Sequence, residues 1–255
     1  MSKLLPVRTD KVTRVFSPRR VSAGLQFQLQ PEQSARRKAT EAYIARKYQQ
    51  TYGAVITTFL PVLLTMNSAE KTIGAVGLNP GEMGPMYLEQ YFDCPVEQKL
   101  ASLTRQPQSR NKLVEIGNLV VTERGVGSLM FLVLAASLYR ADAQWLIFTA
   151  TPEVEKIVRR FRLEPVCLAA ASPTCLTSAK QWGSYYDCHP KVLAVNLQQA
   201  FELADLSPLL KSSIDNFDTA IKDISTQLTC YRANQNPLKI AQVLADTRRS
   251  KEMVS

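Results

Sequence analysis

The stretch that most constrains this chain is LVEIGNLVVTERGVGSLMFLVLAASLYRADAQWLIFTAT, residues 113–151. Its pattern predicts a buried strand over 113–121, a turn carrying Gly125 and Gly127, an apolar helix to about residue 138, and a second buried strand over 144–149. Two nearly all-apolar strands joined through a helix form a parallel βαβ unit covered on both faces. Polar residues inside such strands need a reason. Glu115, Gly117 and Asn118 interrupt the first strand, and Thr149 and Thr151 close the second. The carboxyl ends of both strands therefore carry polar groups beside a glycine turn, which is where open α/β sheets place ligands.

A chain of 255 residues, 45% hydrophobic, is long enough for one good core and a small appendage. Residues 1–20, interrupted by Pro6 and Pro18, read as a basic arm. The domain proper spans 21–205. A strand is expected over 21–29, then a helix starting near Pro31 with an apolar stripe of Ala35, Ala39, Ala42, Tyr43 and Tyr48. A hairpin of 59–66 and 71–78 follows. Pro80, Gly81, Gly84 and Pro85 mark a loop before an aromatic-rich segment (87–92) and a helix over 96–103. After the βαβ unit come a basic helix (153–161), a strand (164–171), a short helix (173–180), the aromatic cluster Trp182 to Asp187, and a strand (192–197). Beyond these, Leu210, Ile214, Phe217, Ile221, Ile224, Leu228 and Tyr231 are spaced alternately four and three, predicting a heptad helix over 206–232. Such a seam needs a partner surface, either its own domain or a second copy in a homodimer. Pro237 ends it, and 233–255 is expected to be a mobile tail.

The five cysteines show no CxxC or other metal-ligand spacing, so neither a disulfide framework nor a metal site is expected. His189 is the sole histidine and no GxSxG elbow exists, which argues against a hydrolase triad. No long uncharged apolar run and no signal-peptide core are present, so the expectation is a soluble, cytoplasmic protein without a transmembrane segment. Of the net charge of +9, residues 1–50 carry +8. That end suits an acidic surface such as nucleic acid, anionic lipid or an acidic carrier protein, or is simply solvated. No recognised motif supports specific nucleic-acid binding.

The order of elements resembles the acetyltransferase fold of the GNAT superfamily: an α/β (α+β) fold with a central mixed twisted sheet of six to seven strands flanked by helices, here with an added C-terminal helix. In that superfamily the fourth strand splays from the fifth, and the turn after it offers backbone N–H groups to the pyrophosphate of coenzyme A. Residues 123–129, ERGVGSL, resemble the second half of its Q/R-x-x-G-x-G/A motif, with Thr122 where Gln or Arg is usual and a shorter link from Val121. A more specific resemblance lies in TYGAVITTFLPVLL (51–64), MYLEQYFDCPVEQ (86–98), LVEIGNLVV (113–121), WLIFTAT (145–151) and WGSYYDCHP (182–190). These blocks look like the thermostable hemolysin family of bacterial proteins, itself similar to GNAT proteins and to acyl-homoserine-lactone synthases. Asn79 stands where both families imply a basic residue.

The resemblance implies transfer of an acyl group from a thioester to an amine acceptor, with acyl-CoA or acyl-phosphopantetheine as co-substrate and no tightly bound cofactor. Such a reaction needs a base, donors for the developing oxyanion, and a slot for the acyl chain. Glu115 is the candidate base, since burial raises a carboxyl toward the useful range; the alternative is a structural carboxylate paired with Arg110 or Arg124. Backbone amides near Asn118 and Leu119 would polarise the thioester carbonyl, and Tyr185 or Tyr186 would protonate the thiolate. Val121, Arg124, Gly125, Gly127 and Ser128 would bound the phosphate site. Glu89 and Asp93, with Thr149, Thr151 and Trp182, would receive the acceptor, unless Glu89, Asp93 and Glu97 form only a solvated acidic edge. The rival functions are a membrane-active hemolysin without enzymatic activity and a non-catalytic GNAT-like scaffold.

Overall fold

The computed structural model describes residues 24–122 and 125–234. The basic arm expected over 1–20, most of the tail expected over 233–255, and Arg124 lie outside them. Seven strands form one mixed sheet: β1 (Leu25–Gln30), β2 (Val62–Ser68), β3 (Lys71–Pro80), β4 (Leu113–Val121), β5 (Trp145–Ala150), β6 (Val166–Ala170) and β7 (Lys191–Asn196). Their spatial order is β1-β2-β3-β4-β5-β7-β6, and every neighbouring pair is antiparallel except the central β4 and β5. The parallel pair exists because α3 (Val126–Arg140), buried over nearly its whole length, carries the chain back across one face of the sheet. Successive β2 residues pack into different cores, as strand alternation requires. Val62 and Leu64 face α3 and α7 (Asp218–Asn234), whereas Leu63 faces α1 (Arg37–Tyr52) and α2 (Val96–Thr104).

Four elements depart from the sequence-based expectations. The buried face of α1 is Arg37, Thr40, Tyr43, Ile44 and Tyr48, while Ala35, Ala39 and Ala42 are exposed. Arg37 goes inward because the chain at 54–61 has no strand partner. Its guanidinium donates to the carbonyls of Leu60 at 2.8 Å and Pro61 at 2.6 Å, groups that burial would otherwise leave unmade. For the same reason residues 59–61 are irregular rather than the start of β2. The expected helix over 173–180 is two short 3₁₀ turns.

After α4 (Pro152–Arg160), the expected basic helix, and α5 (Leu197–Asp205), the heptad seam is split at Phe217 into α6 (Pro208–Asn216) and α7. Ile221, Ile224 and Leu228 are buried within the chain, α7 packing on α3 and β1. Of the two partner surfaces open to this seam, its own domain takes the central positions. Arg232 fastens the end of α7, donating to Glu82 at 2.5 Å and to the carbonyls of Ala141 at 2.7 Å and Asn111 at 2.5 Å.

Candidate active site

The two parallel strands part. β4 pairs with β5 only from Leu113 opposite Trp145 to Ile116 opposite Phe148; beyond that β4 continues alongside β3, and β5 alongside β7. The parting coincides with a register shift between β3 and β4 and with Asn118, whose φ of 52° is left-handed. Such a backbone costs a non-glycine residue energy and persists where surrounding contacts hold it. Here the Asn118 Oδ1 accepts the Leu60 N–H at 3.1 Å, tying the segment 54–61 across the opening. Gly77 makes room for that tie, since a Cβ there would lie 3.0 Å from both Asn118 Oδ1 and Leu60 Cβ.

The opening is a cavity of about 150 Å³. Glu115 to Leu119 form one side and Phe148, Thr149 and Thr151 the other. The segment 55–60 and seven aromatic side chains close it: Tyr48, Tyr52, Tyr87, Tyr91, Trp182, Tyr185 and Tyr186. Two backbone contacts bind the segments that carry these rings. Ser184 N–H donates to the Tyr52 carbonyl at 2.8 Å, and Val55 N–H to the Gln181 carbonyl at 2.6 Å. Gly183, at φ 53°, permits that approach; a Cβ there would fall 2.0 Å from the Tyr52 oxygen.

Glu115 is 3% exposed and is the single charged group among the described lining residues. Its partners are neither Arg110 nor, among the described residues, any other cation. Oε2 accepts from Tyr87 N–H at 2.8 Å and Asn79 Nδ2 at 3.2 Å, and Oε1 accepts from Leu88 N–H at 2.9 Å. Burial pushes the carboxyl up to about 7, although these three donors favour the anion. Asn79, also donating to the Pro85 carbonyl at 3.2 Å, supplies a neutral contact where a cation would have pulled the value down.

Arg110 serves the acidic cluster instead. Its guanidinium donates to Glu89 and Glu97, each at 2.7 Å. Burial alone would raise Glu89, but Arg110 and the N–H groups of Val96 and Met86 hold it down to about 2. Glu89 therefore braces the 3₁₀ turn Tyr87–Tyr91, which aims two N–H groups at Glu115, and it does not line the cavity. Asp93 is exposed and also outside the lining. Neither member of the pair expected to receive the acceptor therefore lines the cavity: Glu89 is held by Arg110, and Asp93 lies exposed outside it.

Among the other expected site residues, Asn118, Leu119, Thr149, Thr151, Trp182, Tyr185 and Tyr186 all line the cavity. Tyr186 shares a 2.5 Å hydrogen bond with Tyr91, and burial raises both phenols, as it does Tyr185. Phenols held above their ordinary value of about 10 keep their protons near neutrality, so both tyrosines stand in the cavity as neutral hydrogen-bond donors. Val121 is exposed, and Gly125, Gly127 and Ser128 sit at the start of α3 outside the cavity, with Gly125 left-handed at φ 88° and Ser128 buried. Asn79, Tyr48, Tyr52, Tyr87 and Tyr91 were not expected in the site. The aromatic-rich spacing of 87–92 was the available signal for two of them.

A mixed seven-stranded sheet whose fourth and fifth strands splay over a ligand-sized cavity defines the GNAT-like acyltransferase fold, and solved structures bear this out. BjaI, described as a CoA-dependent acyl-homoserine lactone synthase and solved with SAM and isopentyl-CoA, superposes with a TM-score of 0.50 at 11% identity, covering 71% of this chain and 89% of its own. FeeM, an N-acyl amino acid synthase from uncultured soil microbes, gives 0.50 at 12% identity, covering 73% and 98%. TofI in an apo form gives 0.50 at 17% identity, covering 72% and 99%. No curated protein matches the sequence. The chain belongs to the thermostable hemolysin family, whose sequence model matches residues 30–201.

Proposed function

We propose that the protein is an acyltransferase moving an acyl group from a thioester, on coenzyme A or on the phosphopantetheine of an acyl carrier protein, to an amine. The observation that carries this reading is the parting of β4 and β5 beside a buried carboxyl that titrates near neutrality. A base poised near working pH is what amine attack on a thioester requires. The thioester carbonyl lies at the parting, with the backbone amides of Asn118 and Leu119 as donors to its oxygen. The amine nitrogen bonds to the carbonyl carbon and the carbon–sulfur bond breaks. Of the two protons that an ammonium loses, one goes to Glu115 and one to the departing sulfur, which leaves as the thiol. A donor phosphate is held at the start of α3 by the backbone of Gly125, Gly127 and Ser128, with Arg124 adjacent in sequence. Exposed Arg36, just before α1, and Lys38 and Arg46 on it continue the basic N-terminal sequence toward which an acidic carrier protein is drawn.

Use of this fold by a CoA-dependent acyl-homoserine lactone synthase and an N-acyl amino acid synthase supports the reading. Among the described residues no helix is long and apolar enough to cross a membrane, so nothing described favours a helical lysin. Purified protein incubated with acyl-CoA or acyl carrier protein donors and a panel of amines is expected to yield an amide identifiable by mass spectrometry. The same product should appear in lipids from cells with the intact gene and be missing from cells without it. No amide from any donor would contradict the proposal.

A further inference from the structure

The aromatic side chains of the cavity form more than a packed wall. Trp182 lies 5.3 Å from Tyr185, 6.0 Å from Tyr87 and 6.1 Å from Tyr48 between ring centroids, and Tyr52 lies 5.2 Å from Tyr185 with planes at 81°. These rings come from α1, the turn after β3 and the segment before β7, and backbone hydrogen bonds and the forced approach at Gly183 fix them together. All of them line the one cavity, which holds a single anionic group and, among its described lining residues, no Lys, Arg or His. An aromatic face is electron-rich, and a cation set against several such faces in a desolvated pocket is attracted without an ion pair.

We infer that this cavity recognises an alkylammonium group by its aromatic faces, with Trp182 and Tyr52 as the walls and the buried Tyr185 packed between and behind them, and that the group's carbon chain carries no carboxylate within the cavity. The inference rests on the acyl-transfer reading in one respect, that the caged cation is the acceptor. Glu115, which lines the same cavity, then takes the proton. A carboxylate on the same molecule would be desolvated against phenol and indole rings with no described cation opposite it, which costs affinity. The specificity assigned here therefore excludes amino-acid acceptors in favour of simple amines.

Three probes of matched shape separate these terms by calorimetric titration of the full chain: choline, its neutral carbon isostere 3,3-dimethylbutan-1-ol, and glycine betaine. Choline is expected to bind at least about tenfold more tightly than the alcohol and than betaine. Trp182→Leu should erase that preference while Trp182→Phe keeps most of it. Tyr52→Leu should weaken it as a second, independent variant. Glu115→Gln should leave the preference for choline over the alcohol in place, because the rings, not the carboxylate, hold the cation. Equal binding, a preference for the alcohol or betaine, no binding by any probe, or loss of the preference in Glu115→Gln overturns the inference. Its failure is distinguishable from that of acyl transfer. Choline selectivity without amide formation leaves the cage standing and removes the enzyme, whereas amide formation with betaine-like selectivity does the reverse.

Discussion

At Glu115, burial and hydrogen bonding pull in opposite directions, and burial prevails, taking the carboxyl from 4.5 to about 7. A carboxyl whose folded value lies above its unfolded one binds its proton more tightly when folded. Stability should therefore fall as pH rises from about 4.5 to about 7 and level off beyond, by about 3 kcal/mol for this group. Denaturant midpoints measured across that range in the native protein and in Glu115→Gln check this: the variant should lose most of the slope. The candidate base was legible because a charged residue in an otherwise apolar strand has few structural excuses. Glu89 and Asp93 misled because four-residue spacing says nothing of Arg110, twenty-one residues downstream of Glu89, folding over the cluster. The role of Asn79 was equally hidden. Only the antiparallel register that sets Asn79 opposite Glu115 brings its amide to the carboxyl. Asn79→Lys should place a cation beside Glu115 and shift any pH-rate profile to lower pH by a unit or more.

Among the elements, β4 was read correctly from end to end, since nine residues of nearly unbroken apolar character leave little choice. Its separation from β5 was signalled only by Gly117 and Asn118, and the sequence does not disclose what holds the gap open. That is the contact between Asn118 and Leu60 together with Arg37 beneath residues 60–61. Asn118→Ala should cost about 1 to 3 kcal/mol by stranding the Leu60 N–H while keeping the strained backbone, and faster amide exchange at Leu60 would report it. Gly183→Ala should cost at least about 2 kcal/mol, because its Cβ meets backbone at an impossible distance in a left-handed conformation. Thermal melting measures that loss. The aromatic cavity went unread because its rings come from segments spread between residues 48 and 186, and only the fold gathers them.

On the scale of the whole molecule, the C-terminal helices complete the core rather than extend from it. The four-three seam was visible in the sequence, but a periodic apolar stripe does not say whose surface it covers. In the fold it covers α3 and β1, with Ile221 and Leu228 wholly buried. Ile221→Ala should accordingly destabilise the chain by about 2 to 5 kcal/mol, read as a lowered denaturation midpoint that does not depend on protein concentration. α3 itself returns β4 to β5 and packs with α7 on one face of the sheet, while α1 and α2 cover the other. The most direct measurement of the account is thiol release from an acyl thioester by the purified protein, followed against pH with and without an amine. Release should depend on the amine, rise through about pH 7 as Glu115 gives up its proton, and fall at least about tenfold in Glu115→Gln. Release that ignores the amine, or that the variant sustains unchanged, would contradict it.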